Sequence, residues 1–482
     1  MDDLFILIKS LSDADKKFFR QYASLQAEES NYIRLFNFID SLEQYDDELI
    51  KEHFKNEDFI KQLSVAKNYL NEVILRTFRI SAEKESPEIA LQLLMMDIRF
   101  LLSKKCLGQL KKALKRAKKA AEEQENFLVL MNIYALQRHL LTEFKFEARE
   151  AITFDAIASE EINTLKKLEN VNLIYDLYCK AKLILSTERE SVASDSIKKE
   201  FARIFDHHLM QNEFTALSLR AKHWFHSAIH FKHIFFADVN ADHKNCKDHL
   251  QLFLNNKTFI ETRSLSYMTV INNILEVLRN LNTTEEVIYY LKLLSEVKTK
   301  NERDESGKQI YLAHHYMWYY LRTAQYIKAD EIADLELQRL KQFSKLKKDS
   351  VIIQHMLIAI VYIMAEKFTK ANDVINELLS VPKTGIREDI LEHAKILQII
   401  IQMHFENFDI VNNLLRSIKR ADHNFPLLLL VSEFYSQLLK NPSEFKSQRM
   451  NEIFIDRLIS LESGDFSEFP EMINMLQMVW RN

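Results

Sequence analysis

The chain contains only four glycines and five prolines among its 482 residues. Average usage at this length would give roughly 34 glycines and 24 prolines. Tight β-hairpins need glycine or asparagine at positive φ, and parallel α/β folds use glycine freely between strand and helix. Because so few glycines argue against both architectures, the sequence predicts an all-α fold of long helices joined by polar loops.

Composition narrows the class of protein further. Hydrophobic residues make up 47% and charged residues 28%, which is typical of a folded chain with a large core. A net charge of −4 argues against a globally basic nucleic-acid binder and still allows a local basic patch. The three cysteines, at Cys106, Cys179 and Cys246, are far apart in the sequence and none belongs to a CxxC pair. This argues against a disulfide framework or a cysteine-rich zinc site, and we expect the protein in a reducing compartment.

The sequence shows no targeting or membrane-spanning segment. The N-terminus lacks the basic region of a signal peptide. The longest uninterrupted apolar run, residues 356–365, falls well short of the ~20 residues that a membrane helix needs. We therefore expect a cytoplasmic protein with no membrane span.

Capping signals suggest where the first domain ends. Ser12 and Asp15 form a predicted capping pair for an early helix, and Ser86-Pro87 reads as the N-cap and first residue of a later one. We expect an N-terminal helical domain at 1–85, a first group of helical repeats at 86–300, and a second group at 301–482 that ends in a capping helix. The charged stretch 298–308 predicts an exposed loop.

A repeated pattern follows the first domain. Its order is small, aromatic, turn aromatic, small, large, large and proline, as in Ala359, Tyr362, Phe368, Ala371, Ile375, Leu378 and Pro382. The second small residue falls at Cys246, Val287, Ala329, Ala371 and Val411, in steps of 41, 42, 42 and 40 residues. This rhythm predicts an α-solenoid of stacked antiparallel helix pairs. The register is lost between residues 155 and 240, and a unit near Phe144, Ala148 and Ile152 fits poorly.

The pattern resembles the tetratricopeptide repeat, which implies helix pairs stacked into a superhelix. The period here exceeds the family's roughly 34 residues, and the usual Leu-Gly pair is missing. The opening segment, with Lys17-Phe18-Phe19 and Lys67-Asn68-Tyr69-Leu70, is also similar to a family of uncharacterised bacterial helical-repeat proteins. That similarity implies bacterial origin and the same architecture, and it implies no activity.

Catalytic motifs are missing from the sequence. Gly108, Gly307, Gly385 and Gly464 are isolated, so no glycine-rich loop exists to surround a phosphate. The GxSxG and HExxH motifs are absent as well. We therefore expect a protein that is not an enzyme, with no catalytic, cofactor-binding or metal-binding residues and no cofactor.

Histidines are concentrated in one part of the chain, because eight of the sixteen fall between His207 and His249. Four of them, at 223, 226, 230 and 233, share a stripe about 80° wide on one helix. Imidazoles at such spacing can share a metal ion, but no carboxylate or cysteine on the same stripe completes a ligand set. The pattern favours histidines that line the polar border of a packed helix or the groove of the solenoid, with a metal site as the alternative.

His243, Cys246 and His249 form a second group with metal-ligand residue types. Because Cys246 also occupies the small position of the repeat, packing between helices is the favoured explanation.

A basic helix spans residues 104–119 and contains no acidic residue. Leu110, Ala113, Leu114 and Ala117 take one side of the helical wheel, which leaves the cations facing water. An ordinary solvated face is the favoured interpretation. The alternative is docking of an acidic protein or a nucleic-acid backbone.

The architecture predicts a non-enzymatic scaffold or adaptor that binds a peptide or partner protein on the concave surface of the repeats. The alternative is a nucleic-acid-binding or ligand-sensing regulator with an N-terminal helical DNA- or RNA-binding unit. A metal-dependent hydrolase that uses the histidines is a third class. The expected partner-binding residues are Lys111, Lys112, Lys115, Arg116 and Lys119, together with His223, His230, Tyr316, Tyr319 and Tyr320.

Overall fold

The computed structural model describes residues 2–24, 31–143, 154–187, 194–299, 302–342, 348–380, 388–420, 425–440, 449–462 and 470–481. These residues form 24 α-helices and three short 3₁₀ helices, and no strand occurs among them. The predicted all-α fold is confirmed. Among the described helices, none combines the length and the apolar character that crossing a bilayer requires.

The chain divides into two compact units, Met1–Glu161 and Ile162–Asn482. A helix, α6, does begin at Pro87, and the domain boundaries expected near residues 86 and 301 stay predictions. The helices of the first unit are α1 Asp3–Ser10, α2 Asp13–Ser24, α3 Asn31–Ser41, α4 Asp47–His53, α5 Leu63–Glu85, α6 Pro87–Ser103, α7 Leu107–Glu123 and α8 Phe127–Glu143, and α9 Phe154–Thr187 contains the division.

Both predicted caps are present in the first unit. The Ser12 hydroxyl accepts a hydrogen bond from the Asp15 backbone N–H at 3.1 Å, and the Asp15 carboxylate accepts from the Ser12 N–H at 3.0 Å. This reciprocal arrangement is a capping box at the start of α2. The Ser86 hydroxyl likewise accepts from the Ile89 N–H, with Pro87 in the first turn of α6. Each cap satisfies backbone donors that a helix start leaves unpaired.

The second unit is a succession of helix pairs. Neighbours along the chain contact each other from α11 to α12 and from α14 to α22, and the first helices of successive pairs, α14, α16, α18, α20 and α22, also contact one another in order. The helices are α10 Asp195–Asp206, α11 Leu219–Phe235, α12 Val239–Leu254, α13 Lys257–Thr262, α14 Ser264–Asn280, α15 Val287–Ser295, α16 Glu302–Arg322, α17 Tyr326–Gln342, α18 Lys348–Met364, α19 Phe368–Leu379, α20 Glu388–His404, α21 Phe408–Arg420, α22 Pro426–Lys440, α23 Arg449–Glu462 and α24 Pro470–Arg481.

The small positions of the repeat lie in the core, as the sequence predicts. Cys246 is 1% exposed, and Val287, Ala329, Ala371 and Val411 are fully buried. A small side chain at these positions lets two helix backbones approach closely.

The structure differs from the sequence prediction at 298–308 and explains why the repeat register is lost after residue 155. The loop predicted at 298–308 is wrong from residue 302 onward, because α16 begins at Glu302 and its Lys308 ammonium donates a hydrogen bond to the Val297 carbonyl oxygen at 3.0 Å. The repeat register is lost after residue 155 because one 34-residue helix, α9, stands where a helix pair was sought. The poorly fitting unit at Phe144, Ala148 and Ile152 lies outside the described residues.

Seven helix-to-helix turns share one backbone conformation. Each contains a non-glycine residue with φ between 50° and 59°: Lys105, Glu125, Ala237, Asn282, Ala324, Glu366 and Glu406. The next residue donates its N–H back to a carbonyl five positions earlier, as from Lys367 to Tyr362 and from Gln325 to Tyr320, both at 2.8 Å. This is the Schellman motif, which usually places glycine at the left-handed position. These seven turns of the described chain are therefore made without glycine at the left-handed position, at a conformational cost.

Candidate functional site

Two helices with polar inner faces carry the histidine cluster. Ser218 caps α11 by accepting a hydrogen bond from the Ala221 N–H, and Asp238 caps α12 through the Ala241 N–H. The left-handed Ala237 between them reverses the chain, so that α11 and α12 pack as a pair. Residues three, four and seven positions apart on α11 therefore face residues at the same spacings on α12.

Three side-chain pairs join the two helices. His223 Nδ1 lies 2.8 Å from His249 Nε2, and His226 Nδ1 lies 2.8 Å from Asn245 Oδ1. In the third pair, His230 Nδ1 lies 2.8 and 3.0 Å from the two carboxylate oxygens of Asp242. All six residues are buried, with at most 7% of the surface of each residue exposed.

Sequence analysis found the histidines of α11 and missed most of their partners. Asp242, Asn245 and His249 follow one another at three and then four residues, the same spacing as His223, His226 and His230, and they pair with these histidines in reverse chain order. Such matched spacing of polar residues on two consecutive helices is a signal for a buried polar interface. A helical wheel of α11 alone does not contain this signal, because the partner residues lie on α12.

Cys246 joins the third pair. Its sulfur lies 3.6 Å from both His230 Nδ1 and Asp242 Oδ1, and one buried cluster contains these three groups. The other two members of the trio considered from sequence are engaged elsewhere. His243 Nε2 lies 3.8 Å from Glu286, and His249 pairs with His223. The ligand-type neighbours of Cys246 are therefore His230 and Asp242.

Burial sets the protonation of this region. It lowers the pKa of His223 to about 3, helped by the positive charge of Arg263, and it holds the pKa of His249 well below 6.5. Burial also raises the pKa of the Cys246 thiol well above its usual value, with the Asp242 carboxylate adding to the effect. The histidine pair at 223 and 249 is therefore neutral near pH 7.

A second polar cluster connects α14 with α16. Glu276 Oε1 lies 3.6 Å from His314 Nε2 and 3.8 Å from His315 Nε2. An arginine is also present, because Arg279 NH2 lies 2.9 Å from Glu276 Oε2. Burial alone would raise the pKa of Glu276, but the nearby charge of Arg279 and then of the two histidines lowers it to about 2. The pKa values of His314 and His315 fall to about 4 and 3, chiefly through burial.

The basic residues predicted on α7 are exposed. The helix buries Leu110, Ala113, Leu114, Ala117 and Ala121. The predicted orientation of the helix is thus confirmed. Lys118 is only partly exposed, with its ammonium 2.5 Å from Glu160, and the exposed Lys119 lies 3.7 Å from Glu123. The exposed set, called the basic face below, is Lys111, Lys112, Lys115, Arg116 and Lys119.

The remaining sequence-predicted residues divide into two groups. His223 and His230 are inside the α11–α12 pair, so we leave them out of any partner-binding surface. Tyr316, Tyr319 and Tyr320 on α16 are partly exposed, and the rings of Tyr316 and Tyr320 stack with centroids 5.9 Å apart. These tyrosines are available to contact another molecule at their exposed edges.

Helix α24, the last described helix, packs against helices that lie much earlier in the sequence. It contacts α23, its neighbour, and also α16 and α18. Its side chains at Met472, Ile473, Met475 and Leu476 are buried and belong to the same apolar core as α18. The side chains of Met478 and Trp480 lie outside the described set. The helices α16 and α18, each the first of its pair, thus pack against the apolar side of α24.

No protein-family model, no curated protein and no solved structure matches this chain.

Proposed function

We propose that this protein is a non-enzymatic interaction scaffold, an α-solenoid of the tetratricopeptide type with a period near 41 residues, which binds a helix of a partner protein. The binding surface in this proposal is formed by the first helices of successive pairs, with α16 and α18 at its centre. Such surfaces hold partners through many shallow contacts along stacked repeats.

The order of packing supports the solenoid part of the proposal. First helices contact first helices in chain order from α14 to α22, as stacked pairs require. The left-handed turn residues at 237, 282, 324, 366 and 406 recur at intervals of 40 to 45 residues. The buried small residues recur at nearly the same interval, so the turns and the core residues follow the same repeat period.

The observation that carries the binding proposal is the position of α24. Four apolar side chains, Met472, Ile473, Met475 and Leu476, are buried where this helix meets α16, α18 and α23. They lie on one side of the helix, in the spacing by which amphipathic helices enter apolar grooves. Met472 and Met475 are flexible side chains that adapt to irregular surfaces, which suits a helix that docks against α16 and α18. We therefore infer a partner that presents a similar amphipathic helix in place of α24.

A peptide-binding experiment tests this proposal. The double variant Met472→Asp, Leu476→Asp places two charges in the buried face of α24 and should release that helix from α16 and α18. A fluorescent peptide with the sequence of residues 470–482 should then bind the variant and not the unaltered chain, whose site is filled. Gln477→Asp, which changes a partly exposed residue of the same helix, is the matched control and should not create binding.

Two measurements on the double variant, its circular dichroism and its peptide binding, decide whether the proposal holds. Circular dichroism must show that the double variant keeps its helical content, since the test requires a folded scaffold. A folded variant that binds the peptide no better than the unaltered chain would contradict a helix-binding surface on α16 and α18. A peptide carrying the same two aspartates should not bind any form of the protein.

A further inference from the structure

We propose that His230, Asp242 and Cys246 form a binding site for a divalent transition-metal ion, with zinc as the best fit. The three residues provide one nitrogen, one oxygen and one sulfur ligand from two packed helices. The inference is independent of the interaction surface proposed above, because all three side chains lie inside the α11–α12 pair.

The distances match a tetrahedral ion. Zinc binds sulfur at about 2.3 Å and nitrogen or oxygen at about 2.0–2.2 Å, which places a sulfur and a nitrogen ligand about 3.5 Å apart. The Cys246 sulfur lies 3.6 Å from His230 Nδ1 and 3.6 Å from Asp242 Oδ1. His230 Nδ1 and Asp242 Oδ1, at 2.8 Å, need to separate by roughly half an ångström.

Charge also favours the ion. A carboxylate from Asp242, a thiolate from Cys246 and a neutral imidazole from His230 together neutralise a doubly charged cation. Burial of an unpaired charge is costly, so a neutral metal complex suits three residues that are each at most 7% exposed. A zinc ion binds cysteine as the thiolate, so it displaces the thiol proton of Cys246 when it binds.

The surrounding structure holds the ligands in position. Asp242 and Cys246 are four residues apart on α12 and therefore point to the same side of that helix. The His226–Asn245 pair lies beside them and fixes the distance between the two helices through a further hydrogen bond from Asn245 Nδ2 to the His226 carbonyl oxygen at 3.0 Å. In metal sites, hydrogen bonds made by residues around the ligands keep the ligands oriented toward the metal. The fourth corner of the tetrahedron is left to water.

The second cluster of ligand-type residues is less suited to a cation. At Glu276, His314 and His315 the guanidinium of Arg279 already lies 2.9 Å from the carboxylate and 3.4 Å from His314 Nε2. His315 Nε2 also lies 2.9 Å from Asn272 Oδ1. A metal there would meet a fixed positive charge, whereas no arginine or lysine appears among the polar contacts described for His230, Asp242 and Cys246.

Cobalt titration of the purified full chain tests the proposal. After treatment with a chelator, Co²⁺ should bind with one-to-one stoichiometry and produce a thiolate-to-cobalt charge-transfer band together with the intense visible bands of tetrahedral cobalt. One equivalent of Zn²⁺ should remove both. Cys246→Ser should abolish the charge-transfer band, whereas Cys106→Ser and Cys179→Ser, which alter the other two thiols, should leave it unchanged.

Asp242→Asn provides a second and nearly isosteric test in case Cys246→Ser does not fold. It should weaken Zn²⁺ binding by more than the roughly 10- to 100-fold that loss of an outer contact costs. The proposal is overturned if the unaltered chain takes up no stoichiometric cobalt or zinc. It is equally overturned if the band persists in Cys246→Ser, or if Asp242→Asn binds Zn²⁺ as tightly as the unaltered chain.

Discussion

His223 of α11 and His249 of α12 share a single hydrogen bond, with Nδ1 and Nε2 2.8 Å apart and both rings buried. One ring must donate and the other must accept, so the bond requires at least one neutral imidazole. Burial agrees with this requirement, because it lowers the pKa of His223 to about 3 and that of His249 well below 6.5. The pair is a stabilising contact that depends on pH.

Acidification should therefore destabilise the fold. Between about pH 6.5 and pH 3 the unfolded chain protonates its histidines while the folded chain keeps His223 neutral, so stability rises with pH across this window. A histidine that is protonated only in the unfolded chain changes the free energy of unfolding by about 1.4 kcal/mol per pH unit. Urea unfolding with chelator present should show a lower free energy of unfolding at pH 5 than at pH 7.

Variants identify the histidines responsible for this pH dependence. His223→Asn should reduce the difference in unfolding free energy between pH 7 and pH 5, because one buried titrating ring is lost. His208→Asn, which replaces an exposed histidine, should leave the difference unchanged. A stability that does not vary between the two pH values would contradict a buried neutral pair.

The left-handed turns offer a route to stabilisation. Ala324 and Glu366 adopt φ of 54° and 59°, a conformation that costs any residue with a Cβ atom and costs glycine nothing. Ala324→Gly and Glu366→Gly should each raise the free energy of unfolding by about 0.5–1 kcal/mol in urea denaturation. Glu331→Gly, at an exposed position inside α17, should instead lower it by about 1 kcal/mol, because glycine disfavours a helix interior.

Ala371 is fully buried where α19 meets its neighbours. A leucine there adds three carbons to a packed interface, and Ala371→Leu should destabilise the protein by roughly 1–3 kcal/mol. Asn376→Leu places a leucine at an exposed position of the same helix and should change the unfolding midpoint little. Equal midpoints for both variants would mean that Ala371 does not mark the close approach of two helices.

The basic face of α7 makes a separate prediction about partners. Reversal of Lys111, Lys112 and Lys115 to glutamate should abolish capture of an acidic partner segment without a change in melting temperature, because these side chains are exposed. Reversal of Lys51, Lys55 and Lys61, also exposed and in the same unit, is the control and should preserve capture. If the unaltered chain binds RNA or DNA in a salt-dependent manner and the variant reversed at Lys111, Lys112 and Lys115 does not, the ligand is a nucleic acid instead.

Several features of this protein follow from its sequence alone. The shortage of glycine selects helices over sheets, because backbone sterics make glycine the ordinary residue of tight β turns. The positions of caps at Ser12 and Ser86 and the burial of Ala329 and Ala371 also follow from local chemistry and helical spacing. These are properties of one helix or one turn, so a single stretch of sequence is enough to predict them.

Tertiary structure decided which residues meet across helices. The grouping of His230 with Asp242 and Cys246 depends on how α11 and α12 align after the turn at Ala237, and a shift by one helical turn would break every pair. The position of α24 against α16 and α18 depends on packing between segments more than 100 residues apart. Helical periodicity fixes which way each side chain faces, whereas its partner is set by the alignment of separate helices, and that alignment is a property of the whole core.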